Sequence, residues 1–229
     1  RFRIGNAPFV LRWIPPGRFQ MGSPQDEKGR YGDEGPQHEV TISQGFWLGE
    51  TPVTQEQWRA VVKAVATELP DNPSHFKDKP QHPVESVNWH QCVQFCDLLQ
   101  GLLQSAQPFR LPTEAQWEYA CRAGATSAFH DGSACTEPTG KDPALDRLGW
   151  FYENSGRSTC PVRQKVANNW GLYDMHGNVW EWCEDAIGDG ERILRGGCFH
   201  NWAVHCTVAW RYSIAQGYAD GCIGFRVVR

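Results

Sequence analysis

The sequence predicts one α+β domain, in which a few amphipathic helices are followed by a long stretch of turns and short strands. Its 229 residues suffice for one large domain with a substantial core. The 23 Gly, 15 Pro and 11 Trp are typical of a chain with many turns anchored by large aromatic side chains. Helical periodicity is confined to the first 125 residues, and no linker divides the chain, so we predict a single domain over residues 1–229.

Short strands are predicted near the amino terminus. A turn at residues 15–17 precedes a strand that begins at residues 19–22. Residues 40–42 and 46–48 form two further apolar runs, separated by Ser-Gln-Gly at 43–45. We predict that these two runs pair with each other across that turn.

Three helices are predicted from capping residues and apolar spacing. Thr54 followed by Gln57 forms a capping box for a helix that ends near residue 66. Residues 89–105 place apolar side chains at three- and four-residue steps, which gives one apolar face. Thr113 caps a third helix over 114–122, and no long helical period follows it.

Charge and cysteine content limit the possible functions. The net charge of -4 argues against a nucleic-acid binder, which would normally be basic. No apolar run approaches the roughly 20 residues that a membrane span requires. The nine cysteines contain no Cys-x-x-Cys pair and no disulfide framework, so we predict that most of them are buried core residues.

Several long motifs resemble one family in the same order along the chain. They include PGRFQMGS at 16–23, RLPTEAQWEYA at 110–120, NWGLYDMHGNVWEW at 169–182 and GFR at 224–226. Over essentially its whole length the chain resembles the formylglycine-generating enzyme, or sulfatase-modifying factor, family. The resemblance implies a C-type-lectin-like fold with much irregular structure. Members of this kind include copper-dependent oxidases, non-haem iron enzymes, domains attached to kinases, and binding proteins that are diversified by retroelements.

The copper oxidases of the family have a Cys-x4-Cys pair shortly after a Gly-Gly. Two thiolates suit the soft Cu(I) ion. Here, counting from Gly197, Cys206 stands at the second position of the pair, but Asn201 stands at the first. Cys198 could replace the missing thiol only if the loop brought it close to Cys206. The copper-dependent oxidase, or a related sulfatase-maturation enzyme, is therefore the alternative prediction.

Residues 198–222, which we call the C-terminal segment, depart from the family pattern between two matching flanks. They contain no Lys, Glu, Met, Leu or Pro. All but three of them could be written by codons that end in a pyrimidine, as expected where the adenines of asparagine codons are randomised. Rigid aromatic side chains and small polar ones are typical of binding surfaces. The predicted ligand-binding residues are Phe199, His200, Asn201, Trp202, Ala203, His205, Thr207, Trp210, Tyr212, Ser213, Tyr218 and Asp220.

Together these features predict a non-catalytic ligand-binding protein, most like the retroelement-diversified variable proteins of this fold. We expect its ligand to be a protein or another macromolecule, and the chain to be a monomer without nucleic-acid partners. A cell-surface or secreted location is favoured for a receptor of this kind.

The resemblance also implies a structural Ca²⁺ ion in the loop from 174 to 181. By motif position, its ligands would be the carboxylates of Asp174 and Glu181 and the carbonyls of Gly177 and Val179. Hard oxygen ligands from an irregular loop suit this ion. No catalytic cofactor is expected.

Overall fold

The computed structural model describes all residues from 1 to 229 and contains four helices. Side chains of Thr54, Asn88 and Thr113 each accept a hydrogen bond from the backbone three residues on, so capping boxes begin the first three helices as predicted. The fourth helix was not predicted, although Asp142 followed by Pro143 is a start signal. The helices are α1 (Gln55–Ala64), α2 (Trp89–Leu103), α3 (Glu114–Arg122) and α4 (Pro143–Leu148).

The ten strands are short and form four separate sheets. In chain order they are β1 (Phe2–Ile4), β2 (Ala7–Phe9), β3 (Leu11–Ile14), β4 (Gly17–Met21), β5 (His38–Ile42), β6 (Phe46–Gly49), β7 (Trp180–Ile187), β8 (Glu191–Arg195), β9 (Arg211–Ala215) and β10 (Ile223–Gly224).

The predicted pairing of residues 40–42 with 46–48 is wrong. β5 pairs antiparallel with β4, with Phe19 opposite Val40, while β6 pairs antiparallel with β3, with Trp13 opposite Trp47. The turn between β5 and β6 therefore carries the chain from one two-stranded sheet to another. Local alternation identified the strands but could not identify their partners.

The largest sheet positions the C-terminal segment. Its strand order is β10-β7-β8-β9, with β10 parallel to β7 and the other pairs antiparallel. β9 is an edge strand and belongs to the C-terminal segment, which runs from the end of β8 to the start of β10. One edge of the sheet and the loops around it are therefore built from this segment.

The core consists of three apolar clusters. The largest contains the apolar faces of α1 and α2, where Trp58 stacks on Phe95 with ring centroids 5.2 Å apart. A second cluster surrounds Trp117 of α3. A third, smaller cluster under the C-terminal segment contains Phe129, Ala203 and Cys206. Buried side chains of the segment itself, Ala203 and Cys206, thus attach it to the core.

Buried ion pairs connect α3 to the sheet. Arg195 of β8 donates to Glu114 at 3.1 Å and to Glu118 at 2.5 Å, and Arg122 also donates to Glu118. Arg195 further donates to the carbonyls of residues 208 and 209. Of the nitrogens of Arg195 only Nε lacks a partner, and the bonds to the carbonyls of residues 208 and 209 fix the backbone just before β9. None of the helices is long and apolar enough to cross a membrane.

Candidate functional surface

The C-terminal segment leaves β8 through Gly196 and Gly197, which both have positive φ. A Cβ atom on Gly197 would lie 2.6 Å from the sulfur of Cys206, so only glycine lets the returning chain approach this closely. A short 3-10 helix over Ala203–Cys206 and then β9 follow.

Three of the predicted ligand-binding residues are buried instead. Phe199 packs edge-on against Phe76, with ring centroids 5.4 Å apart. Ala203 lies in the third core cluster, and the Thr207 hydroxyl donates to a backbone carbonyl at 3.0 Å. Composition could not separate these residues from their exposed neighbours, because burial here depends on the path of an irregular loop.

The partly exposed Trp210 is the centre of one aromatic group, which we call the Trp210 cluster. Its ring centroid lies 4.9 Å from that of His205, 5.7 Å from Tyr31, 5.2 Å from the buried Trp180 and 6.2 Å from Tyr212. Tyr31 comes from the amino-terminal third of the chain and was not predicted. A lone tyrosine in the polar stretch of residues 23–37 was the only sequence signal that could have suggested it, and its side chain is 50% exposed.

Two ring nitrogens of this cluster have no partner within the protein. They are Nε1 of Trp210 and Nδ1 of His205, and both atoms are buried. Burial lowers the pKa of His205, which favours the neutral imidazole at pH 7. Buried polar groups are normally satisfied, so these two nitrogens leave hydrogen-bonding capacity unused inside the cluster.

Tyr152 is the centre of a second group, the Tyr152 cluster. Trp202 lies 4.4 Å from it and His200 lies 5.9 Å from it, measured between ring centroids. The guanidinium of Arg157 lies 5.0 Å above the Tyr152 ring. Tyr152 was also not predicted, because its position beside the C-terminal segment is set by tertiary structure alone.

A groove of about 230 Å³ brings side chains of both clusters together. His200 and Tyr212 line it, with Asn201, Tyr218 and Asp220. The Tyr218 hydroxyl and the Asp220 carboxylate are 3.1 Å apart. Ser213 is different, since it donates to Glu191 at 2.8 Å and does not line the groove.

In sequence, the segment lacks the Cys-x4-Cys pair of the family's oxidases, because Asn201 stands five residues before Cys206. Cys206 is completely buried, and burial raises its pKa and that of Cys198, which disfavours both thiolates. The side chain of Asn201 accepts a hydrogen bond from the backbone of Cys198 at 3.0 Å, so it acts as a loop-fixing amide. All nine cysteines are free thiols, and seven of them are buried.

In the predicted calcium loop, both carboxylates already accept hydrogen bonds from other groups of the protein. Both oxygens of Glu181 accept from Arg226, at 2.6 and 2.7 Å, and one also accepts from Trp117. Asp174 accepts from the amide of Arg163 and from Asn178. A buried guanidinium bound to the carboxylate repels a divalent cation, so the residues as arranged do not fit Ca²⁺. Chelation tests the predicted ligand set as a whole, including the carbonyls of Gly177 and Val179.

The comparisons with known proteins agree with this fold. A family profile described as "Sulfatase-modifying factor enzyme 1-like domain" matches residues 9–229. The chain is 30% identical to the "Chaperone protein LppX" of Paenibacillus barcinonensis, over 77% of this chain and 75% of that protein. Among solved structures, "Treponema denticola variable protein 1" matches with a TM-score of 0.82 and 29% identity, over 99% of this chain and 97% of that one. PvdO from Pseudomonas aeruginosa matches with a TM-score of 0.85 and 27% identity, over 96% and 93%.

Other curated relatives are longer proteins. The chain spans 37% of the serine/threonine-protein kinase pkn1 of Chlamydia caviae and 48% of the formylglycine-generating enzyme of Mus musculus. The matches thus include enzymes, a chaperone and a variable protein. Function therefore has to be argued from the residues of this chain.

Proposed function

Because this chain belongs to the sulfatase-modifying factor enzyme 1-like family and has its C-type-lectin-like fold, we propose that it is a non-catalytic binding protein. Its ligand-contacting surface is the exposed part of the C-terminal segment, with Tyr31 and Tyr152 added from elsewhere in the chain. The observation that carries the proposal is the groove between the Trp210 and Tyr152 clusters. Aromatic side chains form its walls, and hydrogen-bonding groups line it.

The chemistry of this surface favours a macromolecular ligand. Tyr212 and Tyr218 are 48% and 44% exposed, so both present large contact areas with few rotatable bonds. Asn201 and Asp220 provide hydrogen-bonding groups beside them. The two aromatic clusters extend the surface well beyond the groove itself. This combination of rigid aromatics and small polar groups is typical of protein-binding loops.

The likeness to a variable protein supports a finer proposal, namely that the C-terminal segment is diversified by a retroelement. Its exposed residues lie at a sheet edge and in loops, where substitution leaves the core intact. Sequencing the DNA around the gene tests this proposal. We expect a nearly identical non-coding copy of the coding sequence for this segment, differing only at adenines, beside a reverse transcriptase gene. A neighbourhood with a sulfatase gene and no such copy would favour a maturation role.

The oxidase alternative is tested with Cu(I) and a sulfatase-type Cys-x-Pro-x-Arg peptide. We expect no aldehyde, because Asn201 stands where the first thiolate would be and Cys206 is buried as a thiol. Aldehyde formation that disappears in Cys206→Ala, but persists in the control Cys92→Ala, would contradict the proposal. Cys92 is buried in the apolar face of α2, far along the chain from the C-terminal segment.

A further inference from the structure

Two cysteine side chains lie side by side in the groove between the Trp210 and Tyr152 clusters. Cys198 is the first residue of the C-terminal segment and Cys222 is the last. Both line the groove, and Cys222 packs against the apolar cluster that contains Cys198. The binding surface proposed above uses neither thiol, so their proximity calls for an explanation of its own.

The backbone on either side of Val179 holds the two ends of the segment together. The amide of Trp180 donates to the carbonyl of Cys222 at 2.8 Å. The amide of Phe199 donates to the carbonyl of Asn178 at 3.0 Å. Residues 199 and 222 are therefore fixed to positions only two apart in the same short stretch of chain, which brings both cysteines to one place.

The ionisation of Cys198 reflects this contact. Burial raises the pKa of the Cys198 thiol most, and the adjacent Cys222 side chain raises it further. Cysteines whose side chains point away from each other cannot be bridged without movement of the backbone. Cys198 and Cys222 are instead neighbours within one groove, as a disulfide bond requires.

Two other pairs of cysteines are close in the fold but have no access to solvent. Cys92 and Cys96 lie one helical turn apart in α2, and both are buried. Cys135 and Cys206 share the third core cluster and are also buried. Cys222, in contrast, is partly exposed and lines an open groove, so its thiol can react with a small molecule from the solvent.

We propose that Cys198 and Cys222 form a redox modification site, which closes to a reversible disulfide bond by exchange with a low-molecular-weight disulfide. The Cys222 thiolate attacks one sulfur of that molecule and releases its other half as a thiol. The Cys198 thiolate then attacks the Cys222 sulfur of the mixed disulfide and releases the second thiol. Each cysteine loses its proton, the pair loses two electrons, and the small disulfide is reduced to two thiols.

The surroundings of Cys198 assist the second of these steps. The amide of His200 donates to the Cys198 sulfur at 3.4 Å, and a hydrogen bond to the charged form favours the thiolate. Once Cys222 is part of a mixed disulfide it can carry no charge, so its charge no longer opposes ionisation of Cys198. Burial still disfavours the Cys198 thiolate, and the second step is therefore the slower one.

The bond would join two sides of the groove. Cys198 is followed by His200, and Cys222 is preceded by Tyr218, which lines the groove with it. A covalent link at this point closes the C-terminal segment into a loop and restricts its movement. This site goes beyond the proposed function, because the bond forms without any ligand in the groove.

Oxidation of the purified full chain with glutathione disulfide tests the proposal. Remaining thiols are blocked with N-ethylmaleimide, and tryptic peptides are analysed by mass spectrometry. Trypsin cleaves after Arg195, Arg211 and Arg226, which places Cys198 in peptide 196–211 and Cys222 in peptide 212–226. We expect the link between these two peptides to exceed every other cysteine link at least tenfold, and dithiothreitol to reverse it. The chain unfolded in urea should not show this preference.

Variants assign the linked sulfur atoms, because peptide 196–211 also contains Cys206. Cys222→Ser, at a partly exposed position, and Cys198→Ala should each abolish the link, whereas Cys206→Ala should retain it. Fragmentation of the linked peptides from the wild type makes the same assignment without a variant. Equal preference in the native and unfolded chains, a bond between Cys198 and Cys206, or a reaction that stops at the mixed disulfide with glutathione would overturn the proposal.

Discussion

At the residue scale, the Glu181 carboxylate is held by the buried guanidinium of Arg226, so it serves as an ion-pair partner and is not free to bind a metal. Arg226 is fully buried, Glu181 is 1% exposed, and their two-point hydrogen bonding leaves neither charge unbalanced. Removing one partner of such a pair leaves the other charge buried alone. The role of Glu181 thus follows from its partner, which lies 45 residues away in sequence and which its own motif does not reveal.

Glu181→Gln should therefore lower the free energy of unfolding by about 3–5 kcal/mol, measured by urea denaturation. The exposed pair of Arg18 and Glu39 is the control, with an N–O distance of 3.5 Å. Glu39→Gln should cost less than about 1 kcal/mol. Equal losses in the two variants would show that the buried pair does not stabilise the fold as described.

Two buried histidines make the free energy of unfolding depend on pH. His130 and His176 stack with ring centroids 4.8 Å apart, and burial lowers the pKa of His130 to about 4 and that of His176 to about 3. An unfolded chain titrates histidine near 6.5. Between pH 6.5 and 4 the unfolded state therefore binds more protons, and these residues make stability fall as the pH falls.

His130→Leu should remove its share of this acid sensitivity. Below pH 6.5 the variant should gain up to about 1.4 kcal/mol per pH unit in unfolding free energy relative to the wild type. Asp174 and Glu27, whose pKa values are raised to about 6 and 7, act in the opposite direction but are common to both proteins. Urea denaturation at pH 7, 6 and 5 measures the difference, and parallel pH profiles would contradict it.

At the element scale, the helices could be predicted because their signals are local. Each of α1, α2 and α3 begins with a capping box within four residues and continues with an apolar face. The strands were located in the same way, but their pairing depends on more distant residues. Partners in β3 and β6 are 32 to 38 positions apart, and partners in β4 and β5 are 17 to 25 positions apart. The six-residue α4 was missed because it is too short to show a period.

The cap of α2 gives a prediction for an element. The side chain of Asn88 accepts from the amide of Gln91 at 3.0 Å, and the side chain of Gln91 returns a bond to the amide of Asn88. Asn88→Ala should lower the free energy of unfolding by about 1 kcal/mol. Asn88→Ser should lower it by much less, because serine can also cap the helix. Thermal and urea denaturation of the two variants measure this, and equal losses would show that the cap is not the cause.

The loop from 174 to 181 is tested by chelation. Since its carboxylates are bound internally, removing divalent cations with EDTA should leave the melting temperature unchanged. A bound ion would raise the melting temperature by linkage, because it binds only the folded loop. A fall on chelation that calcium restores, and magnesium does not, would establish the calcium site that the family resemblance implies.

At the scale of the whole molecule, the sequence predicted the fold class and the region of the candidate surface, but not the composition of that surface. Aromatic content and the departure from the family pattern both indicated the C-terminal segment. They could not show that Phe199 points into the core or that Tyr31 and Tyr152 join the surface. Such contacts depend on how distant loops pack, and no local pattern encodes them.

The central claim, that this surface binds a macromolecular ligand, is tested most directly by comparing two matched double variants. Tyr212→Ala with Tyr218→Ala removes side chains that are 48% and 44% exposed, and Trp13→Ala with Trp47→Ala removes side chains that are 48% and 42% exposed outside the C-terminal segment. Each immobilised protein is incubated with the same cell-surface extract, and retained macromolecules are quantified by mass spectrometry. We predict a component that the wild type and the Trp13/Trp47 variant retain equally and that the Tyr212/Tyr218 variant retains at least tenfold less, with both variants folded. Equal retention of every component by the two variants would contradict the account.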